Sequence, residues 1–198
     1  MQFKQTHIIF ASLIFAIIGL ITLFSLTSKN EFGEKTNLSF DQLGGDFTLQ
    51  SARGDISLSD FKGKAVVMYF GFMSCPEVCP NSLGVIKAAF KKLDANDIDN
   101  VQGLMISIDP KRDSLTSLEK FTQHFHPNIT GITGDEDILE KTAKQYGAYF
   151  SKIVDPKLDY LFEHVSRYYV IDKDGELVDA MRHSTTPNEL VARLKTII

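Results

Sequence analysis

The chain has two cysteines, and both lie in one short run, Gly71-Phe72-Met73-Ser74-Cys75-Pro76-Glu77-Val78-Cys79-Pro80. The run follows an apolar stretch and opens a helical pattern. Backbone N–H groups at the mouth of a helix stabilise an anion, which favours the thiolate form. In a first helical turn, residues i and i+4 face the same side. Two sulfurs on one side can close a disulfide or grip one soft metal ion. Pro76 and Pro80 restrict the loop and pre-set its geometry. Dithiol oxidoreductases commonly keep two residues between their cysteines. Three residues place the sulfurs differently and leave room for an ion. A structural zinc site needs four ligands, which two cysteines and scattered histidines could supply. The plain alternative is a structural disulfide or a pair of inert buried thiols. A C-P-x-x-C-P run directly after a buried strand argues against it.

The elements around this run have to position it. Ala65 to Phe72 (AVVMYFGF) is β-branched and aromatic without polar alternation, which predicts a central strand buried on both faces. Asn81 to Leu93 has helical spacing, with Leu83, Ile86, Phe90 and Leu93 in one stripe. Val101 to Ile108 is a second apolar strand, ended by Asp109-Pro110. Ser114 to Phe125 reads as a helix, Asn128 to Thr133 as a short strand, and Asp135 to Tyr146 as a helix opened by acids. Val165 to Ile171 is a strand, and Lys173-Asp174-Gly175 turns it into Glu176 to Met181. Thr186-Pro187-Asn188-Glu189 carries the cap, the proline and the acid that start a last helix, to about Ile197. Ahead of all these, Phe47 to Leu58 suggests a hairpin. The order predicts an α/β sandwich of the thioredoxin-like kind, with a central mixed β-sheet flanked by helices. Ligands in such sheets sit beyond the carboxyl ends of the strands. Here that means Ser74–Pro80, Asp109 and the loop before Val165.

The rest of the composition narrows the class. The chain has 198 residues, 23% charged, with a formal net charge of −4. That size fits one domain plus something small. The acidic balance argues against a nucleic-acid partner. Ile8 to Leu26 holds no charged residue, and its 19 residues reach roughly 28 Å as a helix, close to a bilayer core. Of 21 basic residues only Lys4 precedes Thr27, so the remainder carries 20 against 25 acids. No A-x-A site follows the run, which favours an uncleaved N-terminal transmembrane helix over a cleaved signal peptide. We expect a membrane anchor over residues 1–27, a polar linker over 28–40 and the folded domain over 41–198. Lys4 would stay on the cytoplasmic side. The domain would then sit on the periplasmic or extracytoplasmic side of an inner membrane, where thiols can oxidise.

From Phe40 to Ile198 the chain resembles the Sco (SCO/SenC) family of membrane-anchored copper proteins. The matching stretches are Tyr69-Phe70-Gly71-Phe72 with Cys75-Pro76-Glu77-Val78-Cys79-Pro80, Ile106-Ser107-Ile108-Asp109-Pro110-Lys111-Arg112-Asp113, Gly131-Ile132-Thr133-Gly134, and Asp159-Tyr160-Leu161-Phe162-Glu163-His164. In that family both motif cysteines and the histidine bind copper. The resemblance therefore implies Cys75, Cys79 and His164 as ligands, and Cys75 with Cys79 as a redox-active pair. Two thiolates and one imidazole suit Cu(I) in a three-coordinate site, whereas Cu(II) wants a fourth ligand. Glu163 stands where many members have Asp. The fourth-ligand or supporting role is open between Glu163, Asp109 and water. His124 and His126 are two apart at a helix end and would not face one metal. His183 lies near the last hairpin strand and His7 at the membrane edge, and neither is read as a metal ligand. Asp172-Lys173-Asp174-Gly175 lacks the spaced acids of a calcium loop and reads as a hairpin turn.

The resemblance implies assembly of the copper A centre of cytochrome c oxidase, with the oxidase copper A subunit or a copper chaperone as partner. A second reading is a thiol–disulfide oxidoreductase acting on the cysteines of that oxidase site, with Cys75 as the attacking thiol. No proline stands just before Val165, where thioredoxins keep a cis-proline beside their dithiol. A peroxidase would need an arginine motif around Cys75 that this sequence lacks. A purely structural membrane domain would leave the Cys-Pro pair without a purpose.

Overall fold

The computed structural model describes residues 42–157 and 159–198. The expected membrane anchor and linker lie outside them. Among the described residues, no helix is long and apolar enough to cross a membrane.

The chain runs through β1 (Thr48–Ser51), β2 (Gly54–Ser57), a 3-10 turn (Leu58–Phe61), β3 (Ala65–Gly71), α1 (Val78–Phe90), α2 (Ala95–Ile98), β4 (Val101–Ser107) and α3 (Leu115–Phe125). It continues through β5 (Ile129–Ile132), α4 (Glu136–Gln145), β6 (Phe150–Asp155), β7 (Asp159–His164), β8 (Arg167–Ile171), β9 (Leu177–Arg182) and α5 (Pro187–Leu194). Five strands form the central sheet in the order β5-β4-β3-β8-β9. β3, β4 and β5 run parallel, and β8 and β9 run antiparallel to their neighbours. This is the thioredoxin-like mixed sheet flanked by helices.

Burial explains the order. Every residue of β3 is buried, so this strand needs a neighbour on each edge and a cover on each face. It pairs with β4 from Ala65↔Val101 to Gly71↔Ser107, and with β8 through Met68↔Tyr169. α1 covers one face with Leu83, Ile86 and Phe90, each at most 1% exposed. Edge-on aromatic contacts lock the core, with Phe70 and Tyr169 5.6 Å apart and Tyr146 and Tyr169 6.0 Å apart between centroids. Because β8 is antiparallel to β3, the chain enters β8 at the end where β3 leaves. The connection after His164 therefore reaches the same edge as the cysteine loop.

Two expectations are corrected. The first helix begins at Val78 rather than Asn81 and ends at Phe90. Pro80 thus falls in its first turn, where no intrahelical N–H is needed and proline is tolerated. Its far end tightens, with the Leu93 N–H donating to the Phe90 carbonyl at 3.2 Å. More consequentially, His164 does not sit in a loop. It is the last residue of β7, in a separate two-stranded hairpin with β6, and the following strand starts at Arg167. The hairpin escapes a hydropathy reading because most of its residues are half-buried or exposed, with no clean alternation.

The other polar expectations have local explanations. Asp172 Oδ1 accepts from the Asp174 and Glu176 N–H groups, both at 3.0 Å, and makes the turn before β9. His183 and His124 are exposed. His126 caps α3. Its N–H donates to Thr122, its ring lies edge-on to Phe90 at 5.4 Å, and its Nδ1 accepts the Asn128 N–H at 3.1 Å.

This arrangement makes His126 sensitive to pH. Burial first, then the charges of Lys91 and Lys87, lower its pKa. The unfolded chain therefore takes up this proton more readily than the folded one. Stability from His126 is present above the unfolded value near 6.5 and is lost as pH falls through the lowered folded value. Urea unfolding from about pH 8 to about pH 5.5 should show a decline in the wild type that is smaller in H126Q. Equal declines in both proteins would contradict it.

Candidate functional site

After β3 the backbone turns through Phe72 to Glu77 and enters α1. Cys79, the second residue of that helix, is fully buried, and Cys75 in the turn is 8% exposed. Both are free thiols. The Cys79 sulfur lies directly on the strand below it. A Cβ added to Gly71 would stand 3.0 Å from Cys79 Sγ and 2.8 Å from Tyr69 Cε1. Only glycine leaves that room.

The first turn of α1 supplies the electrostatics. Its N-cap residue, Glu77, makes no side-chain capping bond. The Cys79 N–H instead donates to Cys75 Sγ at 3.4 Å. A thiolate is thus stabilised by otherwise unpaired amides and by the positive helix end. The Cys79 thiol, then His164, then the backbone N–H groups of Cys79 and Glu77 hold the Cys75 pKa down to about 4, against the opposing effect of burial. Cys79 moves the other way. Its hydrogen bond to Cys75, then burial, push its thiol well above the ordinary range. Ionisation is therefore favoured at the outer sulfur and disfavoured at the inner one.

Tyr69 supports that inner sulfur. Its hydroxyl donates toward Cys79 Sγ at 3.8 Å and toward Ser166 Oγ at 3.4 Å. Burial chiefly raises the phenol, so it stays a donor. Ser166 belongs to the connection between β7 and β8, so this hydroxyl ties the strand to that connection.

His164 comes from the hairpin. Alternation along β7 puts Tyr160, Phe162 and His164 on one face. Phe162 packs on Phe72 at 5.6 Å, on Phe150 at 6.0 Å and on Tyr160 at 5.7 Å between centroids. Such aromatic pairs contribute about 0.5–1.5 kcal/mol each beyond burial. The His164 ring lies edge-on to Tyr69 and Phe72, and its Nε2 is 3.8 Å from Cys79 Sγ. Its Nδ1 is buried and has no hydrogen-bond partner. The fold therefore brings Cys79 and His164 within 3.8 Å of each other from two distant segments, with Cys75 Sγ against the Cys79 N–H.

Neither carboxylate left open by the sequence joins the sulfurs. Glu163 is exposed, on the opposite face of β7 from His164. Asp109 is 1% exposed, but Oδ2 pairs with Arg112 Nε, and Oδ1 accepts the Tyr160 hydroxyl at 2.8 Å. Asp113, at the other end of the same turn, accepts the Met73 N–H at 2.9 Å and the Ser107 hydroxyl at 2.6 Å. Among the described residues, no group of three or more His, Cys, Asp or Glu side chains is placed to hold a metal ion as it stands. The arrangement offers two sulfurs and a nitrogen at a half-sheltered edge. Such a set suits a soft metal ion or thiol exchange. Sequence reading missed Tyr69, Asp113 and Tyr160 as supports. Only the spacing of Tyr160 four residues before His164 hinted at a shared face.

The chain is similar to known proteins in sequence and in fold. The SCO1/SenC protein family matches residues 35–198. The chain is 33% identical over 194 residues to an SCO2-like protein of Rickettsia felis, covering 95% of this chain and 94% of that one. It is 32% identical to Bradyrhizobium japonicum ScoI, solved with copper bound, at a TM-score of 0.71 over 79% of this chain and 99% of that one. It is 25% identical to BsSco, a member of the Sco family of cytochrome c oxidase assembly proteins, at a TM-score of 0.62 over 78% of this chain and 92% of that one. The fold, the cysteine run and the breadth of these matches lead to one assignment: the chain belongs to the SCO1/SenC family.

Proposed function

We propose that this protein carries copper for assembly of the copper A centre of cytochrome c oxidase, holding it through Cys75, Cys79 and His164. The observation that carries the reading is the approach of His164 Nε2 to within 3.8 Å of Cys79 Sγ, in a site where Cys75 is already disposed to be a thiolate. The donor chemistry fits the cargo, since two thiolates and one imidazole match Cu(I). The ring presents Nε2 toward the sulfur and keeps Nδ1 out of any hydrogen bond, so a donor atom is aimed at the site. Asp109 is bound to Arg112 and Tyr160 and Glu163 points away, so a fourth ligand for Cu(II) would be water. Copper would pass to an acceptor by ligand exchange. In this reading residues 1–27 anchor the chain in the inner membrane, residues 28–40 form the linker, and the domain faces the periplasmic or extracytoplasmic side, toward the oxidase copper A subunit or a copper chaperone. The uncharged run Ile8 to Leu26 supports the anchor.

A second reading uses the same thiols as a reductant. The Cys75 thiolate attacks a disulfide of the oxidase copper site and forms a mixed disulfide while one substrate thiolate leaves. Cys79 then loses its proton, attacks Cys75 and releases the second thiolate. The substrate gains two electrons, and the chain ends as a Cys75–Cys79 disulfide. The low thiol pKa of Cys75 beside a protonated Cys79 favours this order. Among the described residues there is no cis peptide bond beside the pair, unlike a general thioredoxin.

Two measurements test these readings. The full reduced chain should bind one Cu(I) per chain in a competition assay, and C75S, C79S and H164A should each lose tight binding. Unchanged affinity in the cysteine variants would remove the site. H164A also separates the readings in cells, because a pure reductase keeps its function and a copper carrier does not. For the thiol pair, limiting alkylation of the reduced chain near neutral pH should label Cys75 before Cys79. Equal labelling would contradict the assigned asymmetry.

A further inference from the structure

The hairpin that carries His164 is not part of the central sheet. β6 and β7 pair only with each other, from Phe150↔His164 to Asp155↔Asp159. A two-stranded hairpin is marginal by itself, so its position must come from side chains that tie it down. Aromatic packing of Phe162 on Phe72 holds one end. That contact is non-directional and tolerates sliding. The charged tie through Lys152 and Glu136, at 4.0 Å, is solvent-exposed and counts for little.

Directional bonds to the hairpin centre on Tyr160. The Tyr160 hydroxyl donates to Asp109 Oδ1 at 2.8 Å, and Asp109 is 1% exposed. Arg112 pairs with the other oxygen of that carboxylate. It also donates from Nη1 to the Tyr160 carbonyl at 3.0 Å and lies over the Tyr160 ring at 3.8 Å. The turn that supplies Asp109 and Arg112 also supplies Asp113, which holds the Met73 N–H at 2.9 Å, two residues before Cys75. One turn after β4 therefore grips both arms of the site. It holds the cysteine loop through Asp113 and the histidine hairpin through Asp109.

We infer that the bond between the Tyr160 hydroxyl and the Asp109 carboxylate is the latch that sets His164 against the two cysteines. Tyr160 and Asp109 are positioning residues, and neither touches the cargo. With the bond made, the His164 strand is held over the cysteine loop. With it broken, the hairpin keeps its own pairing and the Arg112 bond to the Tyr160 carbonyl, but its register on the domain loosens and the imidazole moves away from the sulfurs. The latch thus decides whether the site offers three donors or two. Its copper consequence rests on the proposed ligand set, whereas its structural consequence does not.

The test is Y160F, which removes only the hydroxyl, in the full reduced chain. Without metal, amide hydrogen exchange over residues 150–164 should speed up by about tenfold or more, as expected for loss of a hydrogen bond to a charged group. Exchange in β3, β4 and β8 should stay at the wild-type rate, and the NMR cross-peak between the His164 and Phe72 rings should weaken. With copper, stoichiometry should hold while Cu(I) affinity falls roughly 10- to 100-fold, the usual effect of losing a support behind a ligand. K152A keeps the hydroxyl and should retain wild-type hairpin protection. Unchanged hairpin exchange and ring contact in Y160F would overturn the latch. So would faster exchange spreading equally through the central sheet, or an equal loss in K152A. If the wild type binds no copper but Y160F still frees the hairpin, the latch stands and the copper reading falls.

Discussion

A buried thiol held against another sulfur is the constraint from which this end of the molecule follows. Cys79 is fully enclosed, and a lone ionised group there would carry a heavy desolvation penalty. The fold meets this by disfavouring ionisation at Cys79 and favouring it at Cys75, against the Cys79 amide. Gly71 lets the sulfur rest on the strand, and Tyr69 gives it a hydroxyl donor. Each neighbour is explained by the need to bury one sulfur while keeping the other reactive. The same division makes the pair suited both to a soft cation and to thiol exchange, because both processes begin at the outer thiolate.

The imidazole adds what two cysteines lack, and it arrives by a separate route. The cysteine loop is continuous with a strand buried in the central sheet, so its position is set by the core. The hairpin is an appendage, registered by an aromatic stack and by a carboxylate that bonds Tyr160 and Arg112. Two arms of unequal rigidity meeting at one edge suit the proposed carrier role, in which copper is taken up and given away. A site closed on every side by the core would hold an ion but could not easily release it.

Much of this was legible in the chain itself, and the reasons are local. β3 announces itself through an unbroken apolar run, α5 through its cap, proline and acid, and the turn before β9 through Asp172 and Gly175. Such features involve neighbours within a few residues, so one sequence window contains the whole interaction. The apolar stripe that marks α1 begins only at Leu83, so its spacing does not show the first turn from Val78, which holds Pro80. The β6–β7 hairpin was invisible because its faces are only partly covered. Its pattern therefore lacks the contrast between buried and exposed positions that periodicity detects.

The sequence by itself determined the chemistry available: two thiols four residues apart at a helix start, in a chain with no other cysteine. It also determined the strand and helix order that must deliver them to the carboxyl edge of a sheet. Only the tertiary structure decided which cysteine carries the charge, since that depends on which sulfur the amides reach and which one the core encloses. Only the tertiary structure placed Asp109 and Glu163 away from the sulfurs. Strand alternation turns Glu163 outward, and a tyrosine 51 residues away in sequence occupies Asp109. Contacts across such separations are created by packing. Their geometry exists only once the sheet has brought the segments together.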